Sequence, residues 1–209
     1  QAVSKLYIND SNGNFTELSS APFHDVLGSS IAFADIDNDN DLDLINLGGY
    51  NTTANIAEYW VNDGNGLFSL STSSLPFTNL GSGYKTATAD LDNDGDKDII
   101  ASWRYNFNNS NDNIRLFLND GFGNFTADFE FDDVLASHIH LIDLDNDNDM
   151  DLYYVGQMYL GNNQIKYYTN NGSGVFTNQQ APVTPNFDGG AHGHSFADFD
   201  NDGDLDFIA

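Results

Sequence analysis

The sequence predicts an all-β protein assembled from four tandem repeats, and three observations carry that prediction. An acidic motif with Asp at five alternate positions occurs as "FADIDNDNDLDLI" (33–45), "TADLDNDGDKDII" (88–100), "LIDLDNDNDMDLYY" (141–154) and "FADFDNDGDLDFI" (196–208), its first aspartates stepping by 55, 53 and 55 residues. A turn motif recurs out of phase with it, as "NDSNGNF" (9–15), "NDGNGLF" (62–68), "NDGFGNF" (119–125) and "NNGSGVF" (170–176). Short runs rich in aromatic and β-branched residues flank both motifs, which suits strands.

In chain order, one repeat reads as strand A ("SSIAFAD"), the acidic loop, strand B ("LDLINL"), strand C ("AEYWVN"), the Asn-Asp-Gly turn and strand D ("LFSLS"). The turn is a hairpin because Asn and Gly enter positive φ most easily. Phe15, Phe68, Phe125 and Phe176 follow the four turns at one position, a regularity that predicts packing between repeats. The chain opens in strands C and D of one repeat (5–18), runs through three whole repeats and closes in A and B of another (192–209). No long linker divides it, so residues 1–209 read as a single domain.

Composition narrows the partners. The formal net charge is -26, and the four acidic loops hold 20 of the 32 acidic residues, so the acidity is concentrated in the repeated motif. With only 6 Lys and Arg there is no basic patch to displace counterions from phosphates, which excludes nucleic acid. No run of about 18 apolar residues predicts insertion into a membrane. Cysteine is absent, which removes disulfides and thiolate metal sites.

Crowded carboxylates about 4 Å apart repel by roughly 1 to 4 kcal/mol per pair unless a cation joins them. Numbering each loop from its first Asp, hard oxygen donors stand at positions one, three, five, seven and nine of a sharply turning segment, the donor set that Ca²⁺ takes. Position six is Asn40, Gly95, Asn148 or Gly203, residue types suited to the left-handed turn such a loop needs. An EF-hand would require Glu at position twelve and flanking helices. Position twelve is instead Asn46, Ala101, Tyr154 or Ala209, between strand-like flanks. Mg²⁺ seldom uses four protein carboxylates, and transition metals favour His or Cys.

The pairing of D-x-D-x-D-[GN]-D-x-D with N-D-G-x-G-x-F resembles the FG-GAP or VCBS repeat of integrin-like proteins, over nearly the whole chain. The resemblance implies a calcium-binding β-propeller of four-stranded antiparallel blades, with about four Ca²⁺ ions, one per repeat. It implies side-chain ligands at positions one, three, five and nine: Asp35, Asp37, Asp39 and Asp43; Asp90, Asp92, Asp94 and Asp98; Asp143, Asp145, Asp147 and Asp151; and Asp198, Asp200, Asp202 and Asp206. Position seven would contribute its backbone carbonyl, from Asp41, Asp96, Asp149 and Asp204. Asn in place of Gly at position six of two loops departs from the family pattern.

The half-repeats at the two ends are complementary, so a composite fourth blade could close a four-bladed ring. The alternatives are consecutive blades of a larger propeller, or self-association of two copies to complete a ring. The resemblance further implies an extracellular, secreted or cell-surface module for binding or adhesion, with a protein or glycan ligand and no catalysis. A lectin-like propeller is the alternative, and a polysaccharide-degrading enzyme a more distant one.

Two sets of residues vary between repeats and so mark a candidate ligand site. His138 and His140 in "ASHIHLIDLD", with His192 and His194 in "GGAHGHSFAD", precede acidic loops on strand A, and His24 lies in an equivalent connection. Hydrogen-bonded lining is their plainer reading; a ligand or metal contact is the sharper one, carried by His138 and His192. Tyr50, Trp103, Tyr105, Phe107 and Tyr159 lie in the B-to-C connections among Asn residues, a mixture suited to stacking on sugar rings.

Overall fold

The computed structural model describes residues 4–19, 21–49, 55–73, 75–76, 82–104, 112–132, 135–157, 163–180 and 195–208, and among these it contains strands and turns but no helix. A hairpin of β1 (Tyr7–Asn9) and β2 (Phe15–Glu17) comes first. Three antiparallel four-stranded sheets follow in chain order. They are β3 (Leu27–Ala34) to β6 (Phe68–Leu70), β7 (Ser82–Ala89) to β10 (Phe125–Glu130), and β11 (Leu135–Ile142) to β14 (Phe176–Gln179). A pair of β15 (Ser195–Ala197) and β16 (Asp206–Ile208) ends the series. Each four-stranded sheet is a meander in which sequence neighbours pair, as the A-B-C-D reading requires.

The B strands are β4 (Asp43–Gly49), β8 (Asp98–Arg104) and β12 (Asp151–Gln157). Their sequences are apolar almost throughout because both faces are covered. The residue after each ninth-position Asp (Leu44, Ile99, Leu152) packs toward the preceding sheet, and the next residue (Ile45, Ile100, Tyr153) toward the following one. The first and second full sheets meet through Ile45, Leu47, Tyr59, Ile99, Ala101 and Phe117. The second and third meet through Ile100, Leu116, Leu152, Tyr154, Tyr168 and Phe176. The sheets therefore stack face to face, each buried against its sequence neighbours.

Both short pairs follow the same rule on one side only. Leu6 and Phe23 cover Leu44, Trp60 and Phe68, while Phe196 of β15 sets its ring edge-on to Tyr153 with centroids 4.9 Å apart. Among the described residues nothing packs on their other sides. Phe15 is 65% exposed, so the core position predicted after each turn holds at Phe68, Phe125 and Phe176 but fails at Phe15, beside which no described sheet lies. Ile31 and Phe33 on β3 are 53% and 49% exposed, and Ile208 on β16 is 62% exposed. The composite four-stranded sheet expected from the chain ends is not formed: among the described residues β1–β2 and β15–β16 remain separate two-stranded sheets, each packed on its sequence neighbour instead.

Candidate metal centre

Every acidic loop connects strand A to strand B and is shaped by two left-handed residues. Position six is one of them, with φ of 73° at Asn40, 100° at Gly95, 72° at Asn148 and 97° at Gly203. Position four is the other, Asn in all four loops, at 61°, 60°, 61° and 60° for Asn38, Asn93, Asn146 and Asn201. Asn tolerates this region better than other residues with a Cβ.

The bends are fixed by backbone donors. The position-six N–H donates to the first Asp, at 3.1 Å for Asn40 to Asp35 and for Gly95 to Asp90, 2.9 Å for Asn148 to Asp143 and 3.0 Å for Gly203 to Asp198. The position-seven N–H donates to the position-five Asp at 2.9 to 3.0 Å in all four loops. Position nine anchors the loop to the rest of its sheet. Asp43, Asp98 and Asp151 are fully buried, and each accepts one N–H from position two and another from the first Asn of its own hairpin.

This scaffold makes carboxylate oxygens converge. One oxygen from each of three residues lies within 4.8 Å of the others in Asp35, Asp37 and Asp39, in Asp90, Asp92 and Asp94, in Asp143, Asp145 and Asp151, and in Asp198, Asp200 and Asp206. Positions one and three belong to every cluster, with five or nine as the third member. The Oδ1 atoms of Asp35, Asp37 and Asp90 are buried and accept no hydrogen bond. Buried acceptors are normally satisfied, so these oxygens fit a bound cation. Burial pushes the Asp98 carboxyl up to about 7 and raises Asp43 and Asp151. Asp37, Asp92 and Asp145 are raised as well, first by burial and then by neighbouring aspartates. The first three sites thus resist their own negative charge, which a divalent cation would offset.

Position seven belongs to no cluster, and its side chain does something the sequence reading did not anticipate. Asp96, Asp149 and Asp204 accept hydrogen bonds from position four of the preceding loop, Asn38, Asn93 and Asn146, at 2.5, 2.7 and 2.6 Å. The signal was in the sequence: position four is Asn four times over. Returning bonds run from the hairpins, since Asn119 and Asn170 each donate through Nδ2, at 2.8 Å, to the position-two carbonyls of Ile36 and Leu91 one repeat earlier. Every junction between full sheets is laced in both directions.

Trp103 does not offer its ring to a ligand. It is 9% exposed and packs in the core between the first and second full sheets, beside Phe117, which corrects the stacking role read for it. Tyr50, Tyr105, Phe107, Tyr159, His192 and His194 lie outside the described residues. The ring of His138, half-buried on β11, stacks on His140 at 6.4 Å, and His140 packs against Phe196 at 5.3 Å. His24 lies apart, paired with Glu58, which also accepts hydrogen bonds from Asn46 and Trp60.

A family model described as FG-GAP-like repeat matches residues 2–45 and 143–209, together just over half of the chain. No curated protein matches.

Proposed function

The chain belongs to the FG-GAP-like repeat family, and we propose that it is a calcium-stabilised, propeller-type binding module that holds an extracellular protein ligand without transforming it. The observation that carries this reading is the fourfold convergence of carboxylate oxygens at equivalent positions, with buried oxygens that accept no hydrogen bond. Positions one, three, five and nine of each loop would hold the ion, and the position-seven carbonyl would complete the set. Calcium supplies the positive charge that makes each loop a clamp between strands A and B.

A module working at millimolar calcium belongs outside the cell, which is the basis of the extracellular assignment. The adhesion reading rests on the repeat family and the stacked-sheet architecture. A glycan ligand is the lesser reading, because the one B-to-C aromatic ring the structure describes is buried.

Since an unfolded chain cannot preform these loops, calcium at about ten times its Kd should add roughly 1.4 kcal/mol of stability per site. Thermal melting with calcium and with chelator tests this directly. A melting temperature that rises with calcium, and rises less in an Asp92→Ala/Asp94→Ala variant, supports the metal reading; curves indifferent to chelator overturn it. Screening immobilised extracellular proteins and a glycan array in calcium then separates the two ligand classes, and turnover of a glycan would overturn the non-catalytic assignment.

A further inference from the structure

We propose that the calcium sites are energetically coupled through asparagines that bridge successive repeats, so that they fill as one linked row rather than independently. The inference rests on the metal reading above and deepens it. It makes Asn38, Asn93, Asn146, Asn119 and Asn170, none of which belongs to an oxygen cluster, the positioning residues of two neighbouring sites at once.

The first kind of bridge runs from loop to loop. Position four lies in the chain between the expected ligands at positions three and five, and its left-handed φ sets how those two carboxylates are aimed. Its side chain leaves the loop altogether: Asn38, Asn93 and Asn146 donate to Asp96, Asp149 and Asp204 of the next one. At the receiving end the position-seven carboxylate belongs to no cluster, yet its residue carries the carbonyl that would complete the next site. That residue is held from three sides. Its N–H is bound by position five, its carboxylate by the bridging Asn, and in two loops a hairpin glycine closes the remaining side, where a Cβ on Gly121 or Gly172 would fall 2.6 or 2.5 Å from Oδ2 of Asp96 or Asp149.

The second kind runs from hairpin to loop. The backbone N–H of Asn119 donates to Asp98 at 2.9 Å and that of Asn170 to Asp151 at 2.8 Å, so each holds the position-nine ligand of its own sheet. Their side chains reach back to the carbonyls of Ile36 and Leu91, which stand between positions one and three of the preceding loop. The N–H groups of Ile36 and Leu91 in turn donate to Asp43 and Asp98. A continuous path therefore joins Asp43, Ile36, Asn119, Asp98, Leu91, Asn170 and Asp151, from the first site through the second to the third. Every residue on it is at most 5% exposed. Hydrogen bonds shielded from water in this way are strong and costly to leave unmade, and partners that hold a metal's ligands tune its affinity.

Calcium closes a loop of mutually repelling carboxylates. A closed loop presents its bridging groups where the next loop needs them, so part of the ordering of the second site is already done when its ion arrives. The effect is reciprocal, because each ion changes the affinity for its neighbour by the same factor. One hydrogen bond to a charged group sets the scale at about tenfold.

The experiment weakens the second site and reads the third. Asp92→Asn keeps the shape of position three and removes one charge from the second loop. Calcium is titrated into the full chain, and amide hydrogen exchange at Asp149, whose N–H is bound to Asp147, reports closure of the third loop. The calcium concentration that half-protects this amide should rise about tenfold in Asp92→Asn. In an Asn93→Gly/Asn170→Ala chain, which lacks both bridges at that junction, adding Asp92→Asn should leave the midpoint in place. Asn93→Gly alone, which keeps the bend and the buried path, should give an intermediate shift of about threefold and stands in where the doubly cut chain does not fold. No shift in the bridged chain overturns the proposal. So does an equal shift with and without the bridges, since the cycle then assigns it to long-range charge or general destabilisation. Calorimetry run in parallel counts the ions. A chain that takes up no calcium overturns the metal reading and this inference with it, whereas four bound ions with independent midpoints remove only the coupling.

Discussion

Asn93 donates its side-chain amide to the Asp149 carboxylate at 2.7 Å, across 56 residues of chain. Asn93 is bent into the left-handed region, and the backbone N–H of Asp149 is held by Asp147. One hydrogen bond therefore links the conformations of two acidic loops that belong to different sheets.

Asn93→Gly keeps the bend and removes the amide, so its effect isolates the link. The expected loss is about 0.5–1.5 kcal/mol in denaturant unfolding. Because the loops are linked, calcium titration by calorimetry should also become less cooperative. An unchanged stability and an unchanged isotherm would show that the bond contributes nothing in solution.

Gly121 and Gly13 share a positive φ, 76° and 84°, but differ in surroundings. A Cβ on Gly121 would lie 2.6 Å from Asp96 Oδ2, whereas one on Gly13 meets nothing within 4 Å. Both Ala substitutions incur the conformational cost of about 1–2 kcal/mol, and Gly121→Ala should lose more because it pushes on the position-seven carboxylate. Equal losses in urea unfolding would mean that Asp96 turns away freely.

Trp103→Ala removes a ring enclosed between two sheets, and large-to-small changes at such sites cost about 3–5 kcal/mol. Thermal melting should fall sharply, with any ligand effect following from unfolding. A variant that melts like the wild type would return Trp103 to the surface.

Burial lowers the His140 pKa, with the nearby His138 adding to the effect. A depressed imidazole pKa contributes stability that is whole above the unfolded value of about 6.5 and is lost as pH falls through the folded value. His138, lowered by its own burial and by Lys85, has the same sign. In saturating calcium, the stability difference between wild type and His140→Gln should shift against the wild type between pH 7.5 and pH 5. A pH-independent difference would show that the ring stays neutral in both states.

The strands, hairpins and acidic clusters were legible because each is encoded locally: five alternate aspartates, an Asn-Asp-Gly turn, an apolar run. Alternation also places Trp103, since Ile99, Ala101 and Trp103 are successive members of one face of β8, although the aromatic run "WRYNF" that begins with it masks that parity. The long-range partners were less accessible. Lys5, Arg115 and Lys166 occupy one position of strand C and pair with Glu17, Glu130 and Asp132, while the same position in the first full sheet is Glu58, paired with His24. The position is periodic, but the partner comes from a different place each time and the charge reverses once. Asn38 to Asp96 is similarly a relation between repeats, which no single-repeat motif contains.

The two-sided burial of β4, β8 and β12 has a kinetic consequence. A strand pair at either end of the stack is released by giving up one interface, whereas an inner sheet must give up two, so opening should begin at the ends and move inward. Amide exchange would then be graded along the chain, fastest for β1–β2 and β15–β16, slowest for β8 and its neighbours. Any partner that caps an end would slow exchange at that end first and would lengthen the lifetime of the whole stack without touching its middle.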